Sequence, residues 1–278
     1  MADMAATREE KFWEGMRWLG FGGTFIFMAL PIFWMVLTAF KQSKDAFSTS
    51  LIFTPTFDNF IRIFSPPFSF GPKVLNSFLV SLATVAVAIP VATLAAYAFS
   101  RFQFRAKNAL MVSVLSSQFV PPVVVVLPFF VLFRTAGLLD TRLALVVLNL
   151  SFVLPFAVWM IKGFIDALPP EVEEAAVVDG CTRLAVLRHI TLPLVMPGIV
   201  TSAVFGFIQS WNEFLFALIL TNRDAVTLTV GLMTLFTDQG IVWEGMAAAG
   251  IIIMVPIFVL AFTIREYFIE GLTMGAVK

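Results

Sequence analysis

The sequence predicts an all-α membrane protein: six transmembrane helices, with a helix–turn–helix segment held on the cytoplasmic side. Three observations carry this. Hydrophobic residues make up 59% of the chain and charged residues 13%, and the mean hydropathy is +0.94, more apolar surface than a soluble core can hide. Apolar runs of about 20 residues, enough to cross a hydrocarbon core of about 30 Å, recur along the chain. One stretch between two of those runs, Glu174–Pro193, is neither a span nor a short connector.

Residues 1–18 carry Arg8, Lys11 and Arg17 among four acids. They are too polar and too long for the charged start of a secretory signal and read as a cytoplasmic lead-in. Leu19–Phe40 is the first span, with Pro31 inside it, a break that neighbouring helices can satisfy in a membrane bundle. Lys41–Lys73, rich in proline and aromatics and without a long apolar run, reads as an external loop near the interface. Val74–Phe99 is the second span, followed by Arg101, Arg105 and Lys107 with no acid among them, the strongest local positive-inside signal in the chain.

The third run, Ala109–Phe133, is broken by Pro121, Pro122 and Pro128, with Ser113, Ser116, Ser117 and Gln118 just before the break. Such a helix either lines a cavity with Ser117 and Gln118 or is simply kinked in packing. Leu143–Ile161, Leu194–Leu220 and Gly245–Ile264 complete the six, and a polar tail covers residues 265–278. With six spans both termini share a side, and 11 of the 18 Lys and Arg residues fall there. The bias places termini and central segment in the cytoplasm.

The central segment, residues 166–193, is built for two short helices. Pro169 and Pro170 suit a helix start, and Glu171, Glu173 and Glu174 complement its positive end. Gly180 is placed to stop that helix in a left-handed conformation. Thr182 then caps a second helix, whose last turn carries Arg188 and His189 before Pro193 and Pro197 close it. The alanines and valines between suit close contact with another protein.

Here the chain resembles a known family. Glu174, Ala175 and Ala176, then three residues, Gly180, nine residues, and Ile190, Thr191, Leu192, Pro193 fill every position of the EAA motif of membrane subunits of bacterial ABC importers. Asn76–Arg101, Trp211–Phe214 and Gly271–Lys278 resemble further segments of the carbohydrate-uptake permeases, of the maltose and glycerol-phosphate kind and the shorter of their two membrane subunits. The resemblance implies the membrane domain of a type I ABC importer in a bacterial inner membrane. Its expected partners are a second homologous permease, a homodimeric cytoplasmic ATPase carrying ATP and magnesium, and a periplasmic or lipid-anchored solute-binding protein. It implies that Glu174 meets a basic residue of the ATPase, that Ala175 and Ala176 allow close approach and that Gly180 permits the turn, with Asp179, Arg183 and Leu187 completing the docking set. A plain cytoplasmic hairpin would explain acids beside a proline, but not the spacing out to Pro193.

Gln209, Asn212 and Glu213 fall at i, i+3 and i+4, on one face of the fifth span. They either line the translocation path or its outer gate, or lie near the outer headgroups or in an inter-subunit contact. The resemblance also implies that the partner permease holds most or all of the sugar contacts.

Other chemistries find little support. Equal numbers of acidic and basic residues give no electrostatic footprint for nucleic acid. One cysteine, Cys181, and one histidine, His189, leave no disulfide or cysteine-cluster metal site and no nucleophile–base pair. The absence of a G-x-x-x-x-G-K-[ST] loop places ATP binding on another chain, so this chain carries no cofactor and is not itself an enzyme. An ion-coupled secondary transporter is the alternative, but it requires ionisable residues near the bilayer midplane, and the spans offer only Glu213. A scaffold without transport leaves the motif unexplained.

Overall fold

The structure is a computed structural model that describes residues 8–276 apart from Gln239, and the side chains of residues 13–264. Arg8, Lys11 and Arg265 therefore enter only through their backbone, and the tail positions Val277 and Lys278 lie outside the described residues. Two compact bodies divide the chain: residues 1–68 with 235–252, and residues 69–234 with 253–278.

The first body contains α1 (Arg8–Ala39), α2 (Asp58–Phe64), the hairpin β1 (Phe236–Thr237) and β2 (Gly240–Ile241), and the start of α12 (Trp243–Ala276). The lead-in from Arg8 onward forms the first turns of α1 itself. Buried Asn59 finishes that helix, its amide donating to the carbonyls of Ala39 and Lys41 at 2.8 and 2.7 Å, groups with no partner inside α1. Lys41 is fully buried; its Nζ donates to the Ser48 carbonyl and lies 4.6 Å from the Trp34 ring centroid. Buried Glu244 accepts from Ser43 and pairs with Arg62 at 3.3 Å. The expected external loop thus holds a short helix and a buried polar lattice.

The second body holds α3 (Phe70–Arg101), α4 (Lys107–Ser116), α5 (Pro122–Thr135), α6 (Arg142–Asp166), α7 (Pro170–Val178), α8 (Arg183–Val186), α9 (Leu192–Trp211), α10 (Leu215–Leu220), α11 (Leu228–Gly231) and the rest of α12. Its core is α3, α6 and α9. In lipid no hydrophobic force draws helices together, so close approach through small residues must do it. Ala88, Ala92 and Ala96 are all fully buried along α3, and Ala92 and Ala96 share a cluster with Ala157, Val158 and Ile161 of α6. Gly198 and Gly206 of α9 serve the same end: a Cβ would lie 2.3 Å from the Phe164 ring at the first and 2.8 Å from Val153 at the second.

Among the described residues, five helices are long and apolar enough to cross a membrane, and the pair formed by α4 with its 3₁₀ extension and α5 brings the number to six if it counts as one span. That pair bends by 94° at Pro121 and Pro122, where the missing N–H groups end one helix and open the next. Three boundaries differ from expectation. The fifth span is interrupted between Trp211 and Leu215. The second helix of the central segment does not end at His189 but passes through a π turn, Leu187–Thr191, straight into α9; Pro193 cannot donate to the turn before it, and the widened turn accommodates that loss inside a continuous helix. The helix that holds the sixth span continues beyond Ile264 into the expected tail, to Ala276.

Candidate functional site

The hairpin formed by α7 and α8 is closed as its sequence requires. Pro170 opens α7, with Glu171 and Glu173 in its first turn. At the other end Gly180 has φ +90°, and its N–H donates to the Val177 carbonyl while that of Cys181 reaches back to Ala176. These bonds form a Schellman turn, which satisfies carbonyls that α7 itself cannot. Thr182 Oγ1 accepts from Ala185 N and caps α8.

Of the seven residues expected to dock, Glu174, Ala175, Asp179, Gly180 and Arg183 are exposed. Ala176 and Leu187 are not: they are 8% and 6% exposed and turn into the chain's own interior. Helical periodicity sets Glu171, Glu174, Ala175 and Val178 on the outer face and Glu173 and Ala176 beneath it. Val178 and Leu184, 87% and 71% exposed, join that outer face and add an apolar patch to its charged rim.

The sequence gives Glu173 only a helix-dipole role, but its side chain is the anchor of the hairpin. It is 2% exposed. One carboxylate oxygen pairs with Arg101 Nε at 2.9 Å and the other accepts from Thr191 Oγ1 at 2.8 Å. Arg101 Nη2 also donates to the carbonyls of Ile165 and Leu168 at 2.9 and 3.1 Å, at the negative C-terminal end of α6. A buried ion pair recovers its desolvation cost only when its remaining hydrogen-bonding groups are satisfied. Here one junction joins α3, α6, α7 and the π turn.

The residues expected along the path part company. Ser117 turns back to its own helix, donating to the Val114 carbonyl, whereas Gln118 reaches across to the Phe152 carbonyl at 2.8 Å. Gln209, Asn212 and Glu213 do not share one helical face, because α9 ends at Trp211. Glu213 instead caps α10, accepting from Phe216 N and Ala217 N at 2.6 and 3.1 Å. Gln209 and Glu213 still meet in a cavity of about 280 Å³ that also takes in Asn149, Phe152 and Phe214; Asn212 is exposed and outside its lining.

A second polar cluster, unforeseen from the sequence, holds the loop after α10. Asp140 sits at φ +56° and its carboxylate accepts from the backbone N–H groups of Asn222, Arg223, Asp224 and Ala225, at 3.0–3.1 Å. Burial pushes that carboxyl up, but the four donors outweigh it and hold its pKa below the ordinary carboxylate value. Asn76 donates to the carbonyls of Asp224 and Val226 and accepts from Arg142, and Ser77 accepts from Leu228 N.

A bundle of long apolar helices that presents an exposed, charged and apolar hairpin at the end of its core defines a helical membrane protein. Comparison with known proteins gives the family. Residues 88–273 match the binding-protein-dependent transport system inner membrane components, and the chain belongs to that family. It is 36% identical over 250 residues to a probable ABC transporter permease of Sinorhizobium fredii, covering 89% of this chain and 90% of the relative. It is 32% identical over 258 residues to the permease protein of a diacetylchitobiose uptake system of Streptomyces coelicolor, covering 91% and 93%. The fold matches a chain of a bacterial ABC transporter involved in import of the acidic polysaccharide alginate, with a TM-score of 0.79 at 18% identity over 94% of this chain and 98% of that one. The chain is thus a multi-pass ABC importer permease with the type I membrane fold. The ion-coupled alternative has no counterpart among these relatives.

Proposed function

We propose that this permease subunit takes up a sugar, a sugar derivative or glycerol phosphate by alternating access, driven by ATP hydrolysed on a separate ATPase. The outward face of α7 and the Schellman turn at Gly180, backed by the buried Arg101–Glu173 pair, is the observation that carries the reading: an exposed docking surface on a stiff support. The named relative from a diacetylchitobiose system and the resemblance to carbohydrate permeases favour the substrate class. In this reading both termini and the hairpin face the cytoplasm. The partners are a second homologous permease, two copies of an ATPase that bind ATP and magnesium, and a periplasmic or lipid-anchored solute-binding protein. The charged rim gives register and the small residues give fit.

The test is uptake by proteoliposomes holding the whole complex, offered labelled sugars and glycerol 3-phosphate in turn. Transport that needs ATP–magnesium on the hairpin side and survives ionophores supports the proposal. Transport that persists without the ATPase and collapses with the ion gradient refutes it.

A further inference from the structure

We propose that α3, bound side by side to α6, is a strut that carries the nucleotide-dependent displacement of the α7–α8 hairpin to the loop of residues 221–228 on the opposite side of the membrane, with Arg101 and Glu173 as the positioning residues at its hairpin end. The proposal rests on the ATPase-coupling reading of the hairpin.

Three features of α3 support it. At its last residue, Arg101 binds Glu173 of the hairpin and the two carbonyls at the end of α6, and Thr191 completes the junction. Near its first turns, Asn76 binds the carbonyls of Asp224 and Val226, Arg142 at the start of α6 binds Asn76, and Ser77 holds Leu228 N. From Asn76 to Arg101 the helix rises about 38 Å at about 1.5 Å per residue, more than the hydrocarbon thickness of about 30 Å. Its two polar clamps therefore lie on opposite sides of the apolar layer. Between them Ala92 and Ala96 of α3 pack in one buried cluster with Ala157, Val158, Ile161 and Ile165 of α6, so α3 and α6 shift together.

The clamps differ in what they join. The outer one fixes a loop whose amides at residues 222–225 are held in addition by Asp140, two residues before α6, so the loop is carried with the paired α3 and α6. The inner one is a charge-assisted pair removed from water, which couples position far better than a surface pair whose partners exchange with solvent. Two ends tied by such bonds and a packed shaft between them form the contiguous element that coupling over this distance requires.

Hydrogen–deuterium exchange on the assembled complex in nanodiscs, with and without a non-hydrolysable ATP analogue, tests this directly. In the wild type the nucleotide is expected to alter exchange both in residues 171–190 and in residues 222–228. In Glu173→Gln and Arg101→Gln the ATPase should still co-purify and the response at 171–190 should remain, while the response at 222–228 is lost. Thr191→Val, which keeps volume and removes one bond, should weaken the far response, and Thr191→Ser should restore it. A response at 222–228 that survives in both Glu173→Gln and Arg101→Gln overturns the strut. So does a parallel loss at both segments with a lowered melting temperature, which would assign the pair to holding the fold. A wild type silent at 171–190 instead overturns the coupling reading itself.

Discussion

Substitution of Gly180 isolates the geometry of the hairpin from its chemistry. A Cβ built at this position meets nothing within 4 Å, so any cost lies in the backbone, where φ is +90°. An L-residue forced into a left-handed conformation costs about 1–2 kcal/mol, which shifts a two-state balance about 5- to 30-fold. Asparagine visits that region with less strain, and a β-branched residue with most. When the turn opens, the bonds from Gly180 N to Val177 and from Cys181 N to Ala176 go with it, and α8 loses its fixed angle to α7. Retention of the ATPase on the immobilised permease pair should therefore fall in the order glycine, Gly180→Asn, Gly180→Ala, Gly180→Val, with a loss of about 5- to 30-fold at alanine. The melting temperature should barely move, since opening of an exposed turn is local. Equal retention by Gly180→Ala and Gly180→Val at wild-type level would refute the role given to the turn.

Three further outcomes are expected. Asp140→Asn should flatten the acid dependence of the melting temperature: a carboxyl held below its ordinary pKa when folded contributes stability that is full above the ordinary carboxylate value of about 3.9 and fades as pH falls through the lower folded value, so wild type and variant should converge in strong acid. Gly198→Ala places a Cβ 2.3 Å from the Phe164 ring, an overpacking cost of about 1–3 kcal/mol; it should lower the melting temperature, and Phe164→Leu should recover part of the loss. Glu213→Ala removes the cap of α10 and should cost about 1 kcal/mol in a denaturation series, with Glu213→Gln costing less because its one side-chain oxygen keeps one of the two bonds.

What could be read from the chain was local. The places of the apolar runs, the break at Pro121–Pro122, the start at Pro170 and the left-handed Gly180 each depend on a few adjacent residues, and those expectations hold, whereas the fifth span proved interrupted. What escaped were pairings between distant positions. Glu173 looks like its neighbours Glu171 and Glu174 until Arg101, 72 residues away, is placed beside it; the available signal was an arginine at the very end of an apolar run facing an acid on the inward side of a helix. Asp140 looks like an ordinary turn residue until the loop 82–85 positions later folds over it. The interruption after Trp211 is hidden because Asn212 and Glu213 have helical spacing, and only the three-dimensional setting shows the Glu213 side chain capping a new helix that begins at Leu215.

Placing a photo-reactive amino acid at Val178, Leu184 or Leu187 in the intact complex is the most direct test of the docking face. The first two are 87% and 71% exposed and the third 6%. The account predicts that Val178 and Leu184 cross-link to the ATPase in yields that change with ATP, and that Leu187 does not. A transporting complex in which neither exposed position reaches the ATPase, or in which buried Leu187 reaches it equally well, would contradict it.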